Sequence, residues 1–80
     1  MKVRFYGKLV DVFGREQDLT LAPPCTVAEV RGRLLAEHPG GAALLQNERV
    51  RACVGDTFAQ DGDLVPDGAV VEFLAPLSGG

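Results

Sequence analysis

Two short stretches near the amino terminus alternate polar and apolar side chains, which is the pattern of a strand with one buried face. Residues 2–6 place Val3 and Phe5 on one side of a predicted strand and polar neighbours on the other. Residues 17–21 repeat the alternation with two leucines on the predicted buried side. Between the two stretches, apolar residues four positions apart suit a short helical turn that ends at Gly14. These signals predict a pair of strands joined by an elaborated connection.

The strongest helix signal begins at Thr26. Thr26 and Glu29 have the spacing of a capping box, in which each side chain bonds the backbone N–H of the other residue. An apolar stripe at helical spacing follows, formed by Val27, Val30, Leu34 and Leu35. The Pro39–Gly41 run is expected to end the helix. Gly32 costs the helix about 1 kcal/mol relative to alanine, so we expect another element to pack closely there.

The second half of the chain carries three further strand signals. Residues 50–54 and 69–74 alternate, with Val71 and Phe73 predicted to face the core, and residues 57–59 form a short extended piece. Turn residues separate these segments. The order is strand, strand, helix, strand, short strand, strand, with the last strand placed beside the first. This order predicts an α+β protein with the β-grasp, or ubiquitin-like, arrangement, in which one main helix packs on a mixed four- to five-stranded sheet.

The chain ends in an apolar strand followed by a thin arm. The final octapeptide is Phe73-Leu74-Ala75-Pro76-Leu77-Ser78-Gly79-Gly80. Pro76 has no N–H, so we expect the strand to stop near Leu74 or Ala75 and residues 75–80 to form a flexible tail. Gly79 and Gly80 lack a Cβ and can enter a slot too narrow for other residues. Such an arm suits capture or activation of its carboxylate by a partner protein, although glycines at a chain end are often only a soluble tail.

Length and charge narrow the functional classes. The 80 residues suit one domain, 1–80, and the net charge of −3 argues against nucleic acid as the main partner. No apolar run approaches the roughly 20 residues that cross a membrane, and the start lacks a signal peptide. We therefore expect a cytoplasmic protein without membrane contact.

The charges are unevenly spread along the chain. All 8 basic residues lie at or before Arg51. The acidic residues after it are Asp56, Asp61, Asp63, Asp67 and Glu72. Because the tail follows this acidic segment, the sequence predicts a basic docking surface on the partner. The alternative is that these acids only solvate loops.

The chain contains two cysteines, Cys25 and Cys53, and one histidine, His38. They form neither a C-x-x-C motif nor a cluster with metal-ligand spacing. We expect both thiols to be reduced and partly buried, with a persulfide-carrying role as the less favoured alternative. His38 falls in the last helical turn, where helix-end carbonyls or solvent are its expected contacts. No nucleophile–base pair or paired carboxylates indicate independent catalysis.

Several of these segments together resemble the small subunits of molybdopterin synthase, which are sulfur carriers related to ubiquitin. The resemblance extends over essentially the whole chain and is carried by Val3-Arg4-Phe5-Tyr6, Thr26-Val27, Arg51-Ala52-Cys53-Val54, Asp67-Gly68 and the final octapeptide. Two positions depart from the family pattern. Ala75 stands where the family usually has the first of two tail prolines, and Gly55 stands where it often has asparagine. Both departures leave room for a related carrier with a different client.

The resemblance implies a cycle of activation and transfer. An ATP-dependent adenylyltransferase, similar to ubiquitin-activating enzymes, adenylates the Gly80 carboxylate. A sulfur donor protein then supplies the sulfur that displaces AMP and leaves a thiocarboxylate. The larger subunit of molybdopterin synthase binds the carrier with Gly79 and Gly80 in its active site, where the sulfur passes to a pterin precursor. The carrier binds no cofactor stably and is not catalytic alone.

Docking requires a surface on the folded domain. Tyr6 and Leu74 are predicted on the outward face of neighbouring strands, and the family's fold brings Phe58 near them. The three side chains predict an exposed apolar patch for partner binding, unless loops partly cover them. The tail residues assigned to partner binding are Pro76, Leu77 and Ser78.

Three other functions stay open from the sequence. A carrier for thiamin synthesis or tRNA thiolation would use the same tail chemistry. A protein modifier would join Gly80 to a lysine, and a non-catalytic interaction module would show no ATP-dependent change at its terminus. Phe73, Leu74 and Pro76 favour the molybdenum pathway.

Overall fold

The computed structural model describes residues 1–47 and 49–75. The strands in this part of the chain are β1 (Lys2–Tyr6), β2 (Glu16–Asp18), β3 (Cys25–Thr26), β4 (Arg51–Val54), β5 (Thr57–Ala59), β6 (Leu64–Val65) and β7 (Val71–Leu74). The α-helices are α1 (Val10–Phe13), α2 (Val27–Glu37) and α3 (Ala42–Leu45). Short 3₁₀ turns, Gly7–Leu9 and Pro39–Gly41, precede α1 and α3. None of the helices in the described residues has the length and apolar character needed to span a membrane.

Five strands form one mixed sheet in the order β2-β1-β7-β4-β5. The central pair, β1 and β7, is parallel, with Val3 opposite Val71 and Phe5 opposite Phe73. β2 and β4 flank this pair in antiparallel orientation. The predicted β-grasp arrangement, with the last strand beside the first, is confirmed. A separate two-stranded ladder of β3 and β6 was not predicted, because two-residue strands are too short to show an alternating pattern.

The core lies between the five-stranded sheet and α2. Phe5 stacks on Phe73 with ring centroids 6.0 Å apart and on Phe13 with centroids 4.9 Å apart. The buried members of the predicted helical stripe are Val27, Val30 and Leu34, while Leu35 is half-buried at its edge. Both halves of the capping box are present, because Thr26 accepts from the Glu29 N–H and the Glu29 carboxylate accepts from the Thr26 N–H. The helix therefore begins where the sequence predicts.

The prediction for Gly32 is wrong, and His38 makes contacts that the sequence did not predict. Gly32 is exposed, and a Cβ built on it meets nothing within 4 Å. The close approach occurs instead at Gly41, where a Cβ would overlap the Phe13 ring. The His38 ring contacts side chains: it lies edge-on to Phe13 at 5.4 Å between centroids, and its Nε2 is 3.1 Å from Nε2 of Gln17. These contacts join segments that are distant in sequence, so the helical spacing does not encode them.

Candidate functional site

The last strand ends where the sequence predicts. β7 stops at Leu74, and Ala75 is half-buried and packs against the core. The tail residues beyond it lie outside the described residues, and these are Pro76, Leu77, Ser78, Gly79 and Gly80. Their proposed roles and the flexibility of the tail therefore stay predictions. Because β7 is a central strand, the chain leaves the middle of the sheet rather than its edge.

Gly7 fixes the tail exit, which we define as the point where Ala75 passes Gly7. Gly7 follows β1 directly and has a φ of +68°, a conformation that favours glycine. A Cβ built on Gly7 would lie 3.1 Å from the carbonyl oxygen of Ala75 and 3.3 Å from its Cβ. Sequence reasoning missed this residue. The available signal was a glycine placed immediately after a predicted strand.

The outward face of the sheet, on the side away from α2, carries the three predicted docking residues. Tyr6 and Leu74 are Cα partners across β1 and β7. Phe58 lies opposite Cys53 across β4 and β5. The Phe58 side chain is 72% exposed, Tyr6 is 41% exposed and Leu74 is half-buried. The three residues thus share one face, but β4 separates Phe58 from the Tyr6–Leu74 pair.

Hydrogen-bonded charges interrupt this face. The Tyr6 hydroxyl donates a 2.5 Å hydrogen bond to Oε2 of Glu72, and this bond raises the pKa of Tyr6 above its ordinary value. Arg4 Nε donates to Oε1 of Glu16 at 3.0 Å, and this bond lowers the pKa of the Glu16 carboxyl. The face is therefore an apolar pair and a separate aromatic ring set among paired charges, rather than one continuous apolar patch.

The surroundings of both cysteines disfavour the thiolate form. Cys25 is buried and Cys53 is half-buried, and both are free. Burial raises the pKa of each thiol. A raised pKa disfavours the thiolate, which is the form that attacks sulfur donors. Within the described residues, no three His, Cys, Asp or Glu side chains are grouped to hold a metal ion.

The charges near the tail exit differ from those predicted. β4 runs antiparallel to β7, so Arg51 lies opposite Leu74 at the exit. The same pairing sets Val54 opposite Val71, and Asp56 follows in the turn at the other end of the sheet. Asp67 precedes β7 and also lies away from the exit. Glu72 lies on β7 two residues before Leu74, and Asp61 follows β5 at the end of the sheet where Arg51 lies. The predicted acidic surroundings of the tail are therefore wrong for Asp56 and Asp67, and the position of Arg51 weakens the argument for a basic partner surface.

A comparison with known protein families shows which family the chain belongs to. The ThiS family model matches residues 3–80, which include both tail glycines. The chain belongs to the ThiS family. ThiS-family proteins are ubiquitin-like sulfur carriers rather than catalysts, bind no cofactor and are activated by an enzyme of the ubiquitin-activating, or E1-like, type. No curated protein matches the sequence closely enough to count as a relative.

Solved structures share the ThiS-family fold at low identity. SAMP1 from Haloferax volcanii superposes with a TM-score of 0.85 and 19% identity, with 99% of this chain and 97% of that chain covered. A candidate molybdopterin converting factor, subunit 1, from Pyrococcus furiosus gives a TM-score of 0.77 and 17% identity over 94% of each chain. These likenesses establish the fold alone.

Proposed function

We propose that this ThiS-family carrier delivers sulfur from a thiocarboxylate at Gly80 to a pterin precursor in molybdopterin synthesis. An E1-like adenylyltransferase uses ATP to convert the Gly80 carboxylate into an acyl adenylate. Hydrosulfide released by a donor protein attacks the acyl carbon, AMP leaves, and the product is the thiocarboxylate. The larger subunit of molybdopterin synthase then receives the loaded tail, all in the cytoplasm. The observation that carries the proposal is the family match, which continues through Gly79 to Gly80.

The fold separates recognition from delivery in this proposal. A free carboxylate is a poor electrophile, so it must be activated and held near the attacking sulfur. The root of the tail is fixed because β7 pairs with β1 on one side and with β4 on the other. The body can therefore bind a partner while the arm places its last carbonyl in that partner's site.

Intact-mass measurement tests the loading step. The full chain is incubated with its E1-like enzyme, ATP and sodium sulfide, and the expected product has one oxygen at Gly80 replaced by sulfur. Omitting ATP should leave the mass unchanged. Gly80→Ala should fold normally and fail to load, because a side chain blocks entry to a narrow site. Gly62→Ala is the matched control, since Gly62 is exposed with nothing within 4 Å of an added Cβ. Normal loading of Gly80→Ala would contradict the steric argument.

A reconstituted transfer assay tests the client. Loaded carrier is mixed with the larger synthase subunit and the cyclic pterin precursor, and sulfur is expected to move from carrier to pterin. A carrier that loads normally but gives sulfur only to a thiazole precursor or to tRNA would belong to a different pathway.

A second candidate is a protein modifier that forms an isopeptide bond between Gly80 and a lysine. The observation that favours it is the shared fold with two structures from Haloferax volcanii, one described as SAMP1 and the other as small archaeal modifier protein 1. Conjugates of a tagged chain in lysate, absent from a variant that lacks Gly80, would support the modifier. Thiocarboxylate without conjugates would support the carrier.

A further inference from the structure

Three cations surround the tail exit. Arg51 lies opposite Leu74. Arg15 directly precedes β2, and its carbonyl accepts from the Phe5 N–H at 3.0 Å. Lys8 follows Gly7 in the chain. All three cations are exposed, and none has a carboxylate within ion-pair distance among residues 1–47 and 49–75.

Two carboxylates on the outward face are already engaged. Glu16 pairs with Arg4 at 3.0 Å and with Lys2 at 3.8 Å. Glu72 accepts the hydroxyl of Tyr6. Among the described residues, the unpaired charges around the exit are therefore Lys8, Arg15 and Arg51, with Asp11 of the neighbouring α1 as an opposing carboxylate.

A cleft extends this positive region beside the exit. Two arginines, Arg4 and Arg15, and one acid, Glu16, line a cleft of about 470 Å³ together with Phe5, Tyr6, Gly7 and Val10. Gly7 is the residue beside which Ala75 passes, so the cleft opens next to the point where the tail leaves the body.

The opposite end of the sheet carries acids. Asp18 ends β2, Asp56 lies in the turn after β4, and Asp67 precedes β7. Lys2 also lies at this end, but its ammonium group pairs with Glu16 at 3.8 Å. The end of the sheet where Arg51 lies also carries an acid, because Asp61 follows β5 there and pairs with Arg31 at 3.2 Å. The excess of cations is therefore confined to the outward face beside the tail exit.

From these unpaired cations beside the Tyr6–Leu74 pair we propose that the E1-like enzyme that activates Gly80 receives the carrier on an acidic surface with an apolar centre. Arg15 and Arg51 bind carboxylates of the enzyme on either side of the Tyr6–Leu74 pair. The strands that carry the two arginines are three strand spacings apart, or about 14 Å. The same surface repels the end of the sheet that carries Asp18, Asp56 and Asp67. The electrostatic field of the enzyme therefore turns the tail toward it. The inference rests on the sulfur-carrier function proposed above, and the E1-like enzyme is the partner that family membership implies.

Association kinetics with the E1-like enzyme test the docking surface. Arg15→Glu and Arg51→Glu are compared with Arg33→Glu, which makes the same charge change on α2, away from the outward face. At low salt the first two variants should associate about 10-fold more slowly than wild type, and high salt should remove most of the difference. Arg33→Glu should stay within about 2-fold of wild type. Equal rates for all three variants, whether slowed or not, would overturn the proposed surface.

A second measurement separates this inference from the proposed function. Failure of the wild-type chain to form thiocarboxylate would reject the carrier function, not the surface. The surface is then decided by titrating the ¹⁵N-labelled full chain with a peptide of alternating glutamate and leucine. Amide shifts are expected at Tyr6, Arg15, Arg51 and Leu74, and they should vanish in a variant with both arginines changed to glutamate. Shifts confined to another surface, or no shifts, would overturn the inference.

Discussion

Gly7→Ala tests whether the root of the tail must stay where the sheet places it. The φ of +68° costs an alanine about 1–2 kcal/mol. The new Cβ would also lie 3.1 Å from the Ala75 carbonyl oxygen, so one of the two groups must move by a few tenths of an ångström. Ala75 is half-buried at the end of β7, whereas Gly7 lies between β1 and a buried turn residue, Leu9. We therefore expect Ala75 to yield and the tail root to shift.

Gly55→Ala is the matched control for the backbone cost. Gly55 and Asp56 form the two-residue turn between β4 and β5, with φ values of +54° and +69°. A Cβ on Gly55 meets nothing within 4 Å. Both variants should therefore lose about 1–2 kcal/mol of stability, which corresponds to roughly 4–16 °C in Tm for a domain of this size. Only the variant at Gly7 should also displace Ala75.

Thiocarboxylate formation by the E1-like enzyme separates the two effects, at a temperature where both variants are folded. A displacement of 1 Å in a reacting group can cost about 100-fold in rate. The smaller shift expected at Ala75 should lower kcat/KM for loading by about 10-fold. Gly55→Ala should load within about 2-fold of wild type. If the two variants load equally well, the contact between Gly7 and Ala75 does not position the tail, and the reasoning fails.

Three further predictions concern the core and the outward face. Phe73→Ala removes a fully buried ring and should lower the free energy of unfolding in denaturant by about 3–5 kcal/mol, whereas Phe58→Ala should change it by about 0.5 kcal/mol or less. Because Glu72 raises the pKa of Tyr6, the tyrosinate absorbance of this single tyrosine should titrate above pH 10.0, and Glu72→Gln should lower the midpoint; an unchanged midpoint would contradict the hydrogen bond. The stability from this bond is complete below the unfolded pKa and is lost as the pH rises through the raised folded pKa. Tyr6→Ser and Leu74→Ser should weaken binding to the E1-like enzyme with little change in Tm, and a large fall in Tm would instead assign them to the core.

Local signals account for the parts of the fold that the sequence predicts. The Thr26–Glu29 capping box and the apolar stripe of α2 depend only on residues a few positions apart. Both can therefore be recognised in the sequence. The β3–β6 ladder is different. Val65 is fully buried opposite Cys25, but this pairing joins two-residue strands with no periodicity of their own.

Arg31 shows why half-buried polar contacts between distant segments cannot be predicted from a sequence pattern. Its guanidinium donates to the Leu45 carbonyl at 2.6 Å, pairs with Asp61 at 3.2 Å and lies 5.2 Å from the centroid of the Phe73 ring. Each partner comes from a different element, and helical spacing places Arg31 merely beside the apolar stripe. The contacts of Arg31 with the last strand and with the other elements can therefore be identified only from the folded structure.

The outward positions of Tyr6 and Leu74 could be predicted from the sequence, whereas the charges at the tail exit could not. Strand pairing explains both outcomes. Alternation alone places Tyr6 and Leu74 outward, and the parallel pairing of β1 with β7 makes them neighbours at the ends of both strands. Charge does not follow position along the chain, because β4 reverses direction relative to β7. Arg51, at the start of β4, is thereby brought to the tail exit, while Asp67, much nearer to Leu74 in sequence, lies a strand length away. The sign of the charge that a partner meets depends on strand register, so it cannot be read from the acidic composition of the last third of the chain alone.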